Sequence, residues 1–99
     1  MPSLPPHAPA ALNVLRLAKV TPDIAVWLPA TNLRALHLTR PTLGAAGGAV
    51  ICSEGELLID FESGAFLHLR QGEACALPSA HRLLPARGSC TVLLVAQGT

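Results

Sequence analysis

The sequence predicts an all-β domain in which two antiparallel sheets pack face to face as a small roll, and three observations predict it. From Asp23 onward, short apolar runs are set apart by Gly, Pro, Ser and Asn, the punctuation of strands and turns rather than of helices. Within the runs polar and apolar side chains alternate, which gives a strand one wet and one dry face. Hydrophobic residues make up 51% of the chain and charged residues 13%, enough apolar surface to offset the entropy of ordering. A chain of 99 residues holds one core, so residues 1–22 are expected to be a tail carrying a short helix and residues 23–99 the single domain.

The chain opens with "MPSLPPHAPA", whose four prolines each fix their own φ and bias the preceding residue away from helix, so an extended tail is expected. No basic residue precedes an apolar core there, and a signal peptide is not expected. "AALNVLRLA", Ala10 to Ala18, predicts about two helical turns with Leu12, Val14 and Leu15 sharing a face, stopped by Pro22. The predicted strands are "IAVWL", "NLRALHLT", "GAVICS", "ELLIDFE", "AFLHLR", "EACALP", "HRLLPA" and "CTVLLVAQ", and so many short strands suit a double-sheet roll better than a meander. "ESG", Glu62 to Gly64, is expected to close a tight hairpin with Gly64 at positive φ, and "RQG", Arg70 to Gly72, to do the same for the next pair. Alternation across "AFLHLRQGEACALP" turns Leu67, Leu69, Cys75 and Leu77 inward and Phe66, His68 and Arg70 outward.

Charge and cysteine usage exclude several roles. The formal net charge is +1, the basic residues are scattered, and Trp27, Phe61 and Phe66 are the only aromatics, so no nucleic-acid surface is expected. No apolar run approaches the roughly 20 residues that span a bilayer, so no membrane partner is expected. Cys52, Cys75 and Cys90 are odd in number and embedded in apolar runs, which predicts three reduced, buried thiols and a reducing, cytoplasmic setting.

The order "EGELLIDFESGAFLHLRQGEACALPSA", Glu54 to Ala80, resembles the second half of a cupin: Gly-Glu after the fourth strand, then Gly-(Asp/Glu), four residues and Pro, matched here by Glu54-Gly55-Glu56, Gly72-Glu73 and Pro78. Within the cupins it is similar to the C-terminal jelly-roll domain of type I mannose-6-phosphate isomerases, where a strand ending in Glu-Gly precedes Leu-x-Leu-(Arg/Lys)-x-Gly-Glu-x4-Pro-Ala. Leu67, Leu69, Arg70, Gly72, Glu73 and Pro78 fit that pattern, "SCTVLLVAQ" lies where the family has its last strand, and "LPATNLRALHL" resembles the strand that opens the domain. The resemblance implies a cupin-like jelly roll over most of residues 23–99. "NVLRLAKVTP" also resembles a family segment whose arginine reaches the catalytic centre, but one extra residue separates Arg16 from Thr21-Pro22 and the segment nearly abuts the roll. Arg16 is therefore read as an exposed charge on a short helix.

A cupin metal needs His-x-His, a Glu and a third His converging on the inner faces of adjacent strands. "TRPTLGAAGG", Thr39 to Gly48, where the resemblance would put the first motif, has neither His nor carboxylate, so no metal and no other cofactor is expected. His81 lies near the place of the third histidine and reads as a residue of the rim; His37 and His68 stand alone on separate strands and His7 in the tail. Glu54 and Glu56 share a face at strand spacing and read as solvated. Ser53 and Ser79 have no adjacent base, and no nucleophile is evident.

The resemblance thus implies a module without the zinc-bearing domain on which the family's isomerase activity depends, not expected to isomerise mannose 6-phosphate alone. Its expected role is to pack against a separate catalytic chain or a second copy of itself, a homodimer being the default. The rival expectation is a cupin that binds a sugar phosphate or another anion at the barrel mouth through His81, Arg82 and Arg87. A metal enzyme drawing on His37, His68 and His81 is the remaining reading.

Overall fold

A computed structural model describes residues 11–97, so the extended tail expected at residues 1–10 lies outside the described residues. The one helix among them, α1 (Val14–Val20), leaves out Ala11 and Leu12 of the predicted run because Asn13 caps it. Asn13 is extended (φ −87°, ψ 100°) and its side-chain oxygen accepts from the Arg16 backbone N–H at 3.0 Å, satisfying a donor that the first turn leaves open. Ala18 is fully buried, whereas Arg16 is exposed.

Nine strands follow: β1 (Val26–Trp27), β2 (Leu33–Leu38), β3 (Thr42–Gly44), β4 (Ala49–Glu54), β5 (Leu57–Phe61), β6 (Phe66–Leu69), β7 (Ala74–Ala76), β8 (His81–Pro85) and β9 (Cys90–Val95). They form a five-stranded sheet, β1-β2-β9-β4-β7, and a four-stranded sheet, β3-β8-β5-β6, with every pairing antiparallel. The fold is the predicted all-β double-sheet roll. Seven strands lie within the predicted runs, and β4 follows its run, "GAVICS", but extends one residue further, to Glu54. The ninth, β3, falls in "TRPTLGAAGG", which has no apolar run of its own and is a strand because it pairs with β8.

Alternation places the core between the sheets. Leu36 and Leu38 of β2, Val50 and Cys52 of β4, Leu57, Ile59 and Phe61 of β5, Leu83 of β8 and Cys90 and Val92 of β9 turn inward and are buried together. Each such aliphatic side chain contributes about 1.5–3 kcal/mol by leaving water. Leu69 and Leu77 join them as predicted, but Leu67, near the hairpin, is 41% exposed and Cys75 is only half-buried. Phe66 and His68 face solvent as expected.

Two turns resolve differently from each other. Glu62–Gly64 closes the β5–β6 hairpin with Gly64 at φ 94°, as predicted. Arg70–Gly72 also has its glycine at positive φ (87°), yet it does not close a hairpin: β6 and β7 belong to different sheets, and the turn carries the chain across to β4, where the Gly72 N–H donates to the Cys52 carbonyl at 2.7 Å and the Cys52 N–H to the Glu73 carbonyl at 2.8 Å.

Register slips once, at a bulge in β4. Cys52 pairs with Val92 but Glu54 with Thr91, so Ser53 is an extra residue. Without it Glu54 would follow Val50 and Cys52 inward; with it, the carboxylate emerges on the outer face of the larger sheet. There α1 lies against β2. Glu54 meets Lys19 of the helix at 2.7 Å and Thr91 at 3.5 Å, and Thr91 is 2.8 Å from His37 Nδ1. The Lys19 ammonium holds the Glu54 carboxyl below its ordinary range.

Candidate functional site

The roll is closed at one end and open at the other. Along β2 the inward positions run Leu38, Leu36, Arg34, so the strand that supplies core leucines ends by aiming a guanidinium between the sheets. Trp27, paired with Arg34 in the register, lies beside it, with the guanidinium carbon 5.2 Å from the indole centroid. The Arg34 Nε is buried and has no hydrogen-bond partner among the described residues. A cavity of about 640 Å³ opens there, walled by both sheets and lined by Arg34, Trp27, His81, Gln97 and the apolar Leu36, Leu77, Leu83 and Leu94.

His81 forms the opposite wall. It is the first residue of β8, 6% exposed, and its ring lies against Gly44 of β3, its register partner. A Cβ on Gly44 would sit 2.3 Å from the imidazole Nε2, so only glycine leaves room for the ring. Nδ1 lies 3.0 Å from the Ser79 carbonyl. A carbonyl only accepts, so Nδ1 carries the proton and, in the neutral ring, Nε2 keeps its lone pair. The rim expectation for His81 is thus corrected to a buried strand residue.

Asp23 completes the lining but its charge is committed. Its carboxylate accepts from the Thr39 N–H at 2.8 Å and from the Thr39 hydroxyl, with Arg40 3.8 Å away. The Thr39 hydroxyl bond foremost, then the bond from its backbone, hold the Asp23 carboxyl below the ordinary value of 3.8. It therefore does not neutralise Arg34.

The three basic residues expected to converge do so only in part. His81 and Arg82 border one shallow depression on the outside of the smaller sheet, but as neighbours on a strand they point to opposite faces, and Arg82 pairs with Asp60 at 3.4 Å on the outer one. Arg87 lies with Glu56, His68 and Arg70 in a different depression and pairs with Glu56 at 3.3 Å. Arg34, Trp27 and Gln97 were missed by the sequence reading. The signal for Arg34 was present in "NLRALHL", since inward Leu36 and Leu38 put the arginine in line with them.

The donors do not fit a cupin metal. His37 bonds Thr91 on the outer face of one sheet and His68 bonds Glu56 at 2.7 Å on the outside of the other, so among the described residues His81 is the one imidazole on the inner face. No three His, Cys, Asp or Glu side chains cluster as ligands among the described residues. Glu54 and Glu56 do not share a face either, because the turn at Gly55 (φ 79°) sends one to Lys19 and the other to His68 and Arg87. Cys52, Cys75 and Cys90 are free thiols. Burial raises all three, Cys90 to about 12, so none is a ready nucleophile. No helix among the described residues is long and apolar enough to cross a membrane.

Two solved structures are similar in fold. Protein NMB1881 from Neisseria meningitidis superposes with a TM-score of 0.70 over 89% of this chain and 98% of its own, at 14% identity. A cupin-2 domain containing protein from Shewanella frigidimarina superposes with a TM-score of 0.67 over 88% of this chain and 94% of its own, at 13% identity. At such identity the likeness concerns the fold alone, which is that of a small cupin; neither structure bears on the resemblance to the isomerases. No protein-family model matches the chain, and no curated protein matches it.

Proposed function

We propose that the chain is a small-ligand-binding cupin domain whose barrel mouth takes a compact anion, a carboxylate or phosphate group, on Arg34. One observation carries the reading: an inward-facing guanidinium whose buried Nε has no partner among the described residues. Leaving such a donor unmade costs about 1–3 kcal/mol, and a planar oxyanion meets it with two parallel hydrogen bonds. Trp27 and the leucines offer an apolar wall to the rest of the ligand, while Gln97 and His81 offer polar groups that would fix its orientation. A cavity of about 640 Å³ is of the size that small molecules fill. A sugar phosphate of the kind implied by the isomerase resemblance belongs to this class, and that kinship is itself part of the proposal, supported by the spacing of Gly72, Glu73 and Pro78. The mouth favours this reading over a purely packing module, because a barrel filled throughout would leave Arg34 no space to serve.

Thermal unfolding of the full chain tests it against inorganic phosphate, mannose 6-phosphate and a series of carboxylates. At least one anion is expected to raise the melting temperature in proportion to the logarithm of its concentration. Arg34→Met should abolish that rise while leaving stability within about 1 kcal/mol, and Arg87→Met should leave the rise intact. An anion response that survives Arg34→Met would overturn the assignment.

A further inference from the structure

We infer that the outer face of the smaller sheet is a docking surface for a second copy of this chain. The inference is independent of what the mouth binds. The two outer faces of the roll are treated differently: α1 lies against the larger sheet, whereas among the described residues no element covers the smaller one. Across that bare face the register places Leu43, Arg82, Asp60 and Phe66 in a single row, one residue from each of β3, β8, β5 and β6. The end residues are the exposed ones, Leu43 at 83% and Phe66 at 59%, and the central pair is half-exposed. Leu58 and Leu84 form a half-buried apolar pair in the adjacent row.

The row reads apolar, positive, negative, apolar, and that order is self-complementary. A two-fold axis lying in the interface, parallel to the strands and through the row's midpoint, reverses the row on the partner. It sets Arg82 against a second Asp60, Asp60 against a second Arg82, and each Leu43 against a second Phe66. A face made for an unrelated protein has no reason to be complementary to itself. Four alternating charges then close the centre while two Leu–Phe contacts leave water at the edges.

Sedimentation velocity of the full chain over a concentration series tests this. A concentration-dependent dimer is expected. Arg82→Asp and Asp60→Arg, each alone, put like charges in opposition and should raise the dissociation constant about tenfold or more. The double variant carrying both changes reverses the row but keeps it self-complementary, and should restore dimerisation to within about threefold. Leu43→Ser, on an exposed edge strand, should weaken the dimer without changing the far-UV spectrum. A chain that stays monomeric throughout overturns the inference, as does a dimer indifferent to the single charge changes. A monomer whose melting temperature falls on Leu43→Ser would likewise overturn it, pointing to cover by the chain's own residues 1–10.

Discussion

The closed end of the barrel and its mouth are built from the same strands and differ in kind. At the closed end the inward positions are Leu38, Cys52, Leu57 and Cys90, each no more than 1% exposed. Two residues further along β2, past Leu36, the inward position is Arg34; on β8, Leu83 gives way to His81. A packed interior and an inward-facing charge are thus divided along the strands rather than between domains. A core of twelve buried residues, of which Leu36, Leu77 and Leu83 also line the mouth, supports an end whose Arg34 charge no carboxylate of the mouth neutralises among the described residues.

That division can be broken first at the closed end. Leu57→Ala should cost about 2–5 kcal/mol, read as a lower urea midpoint at unchanged slope, because tightly packed neighbours cannot collapse into the void. A loss below 1 kcal/mol would mean that this end is looser than its burial indicates. At the mouth, Gly44→Ala should cost about 1–3 kcal/mol, since the new methyl meets the His81 ring. The same change made in a His81→Ala background should cost far less, and the double-mutant cycle measures the difference; additivity would place the ring elsewhere.

The smallest effect is at the rim. The folded carboxyl of Asp23 lies below its ordinary value of 3.8, so the native state binds fewer protons than the unfolded chain as acid is added. The stabilisation is present above the ordinary value and is lost as pH falls through the depressed folded one. Asp23→Asn tolerates the same backbone (φ 65°) while removing the charge. It should lower stability at pH 7 and flatten the acid limb of a pH series of melting temperatures; an unchanged limb would assign the acid sensitivity to Glu54 and its bond to Lys19.

What could be read from the chain follows the range of the physics involved. Strand positions and the Glu62–Gly64 hairpin are local events, decided by alternation and by one glycine, and they were legible. The Arg70–Gly72 turn has the same local signature but a different destination, since whether a chain returns to its own sheet or crosses to the other depends on which strand has an open edge. β3 is likewise owed to its partner. Asn13 as the helix start was available in the sequence as a capping side chain. Arg34 escaped notice because an arginine between two apolar runs reads as surface, and only the parity of Leu36 and Leu38 turns it inward. The burial of His81 depended on Gly44, 37 positions earlier, being small.

The extra residue in β4 acts as a frameshift in the pattern of in and out. Upstream of Ser53 the even-numbered side chains enter the interior; beyond the Gly55 turn the odd-numbered ones, Leu57, Ile59 and Phe61, do. Deleting Ser53 would therefore do more than shorten a strand: it would drive a carboxylate among Cys52, Cys90 and Leu57 and strip the helix of its anchor, so that length at this point is constrained as tightly as composition.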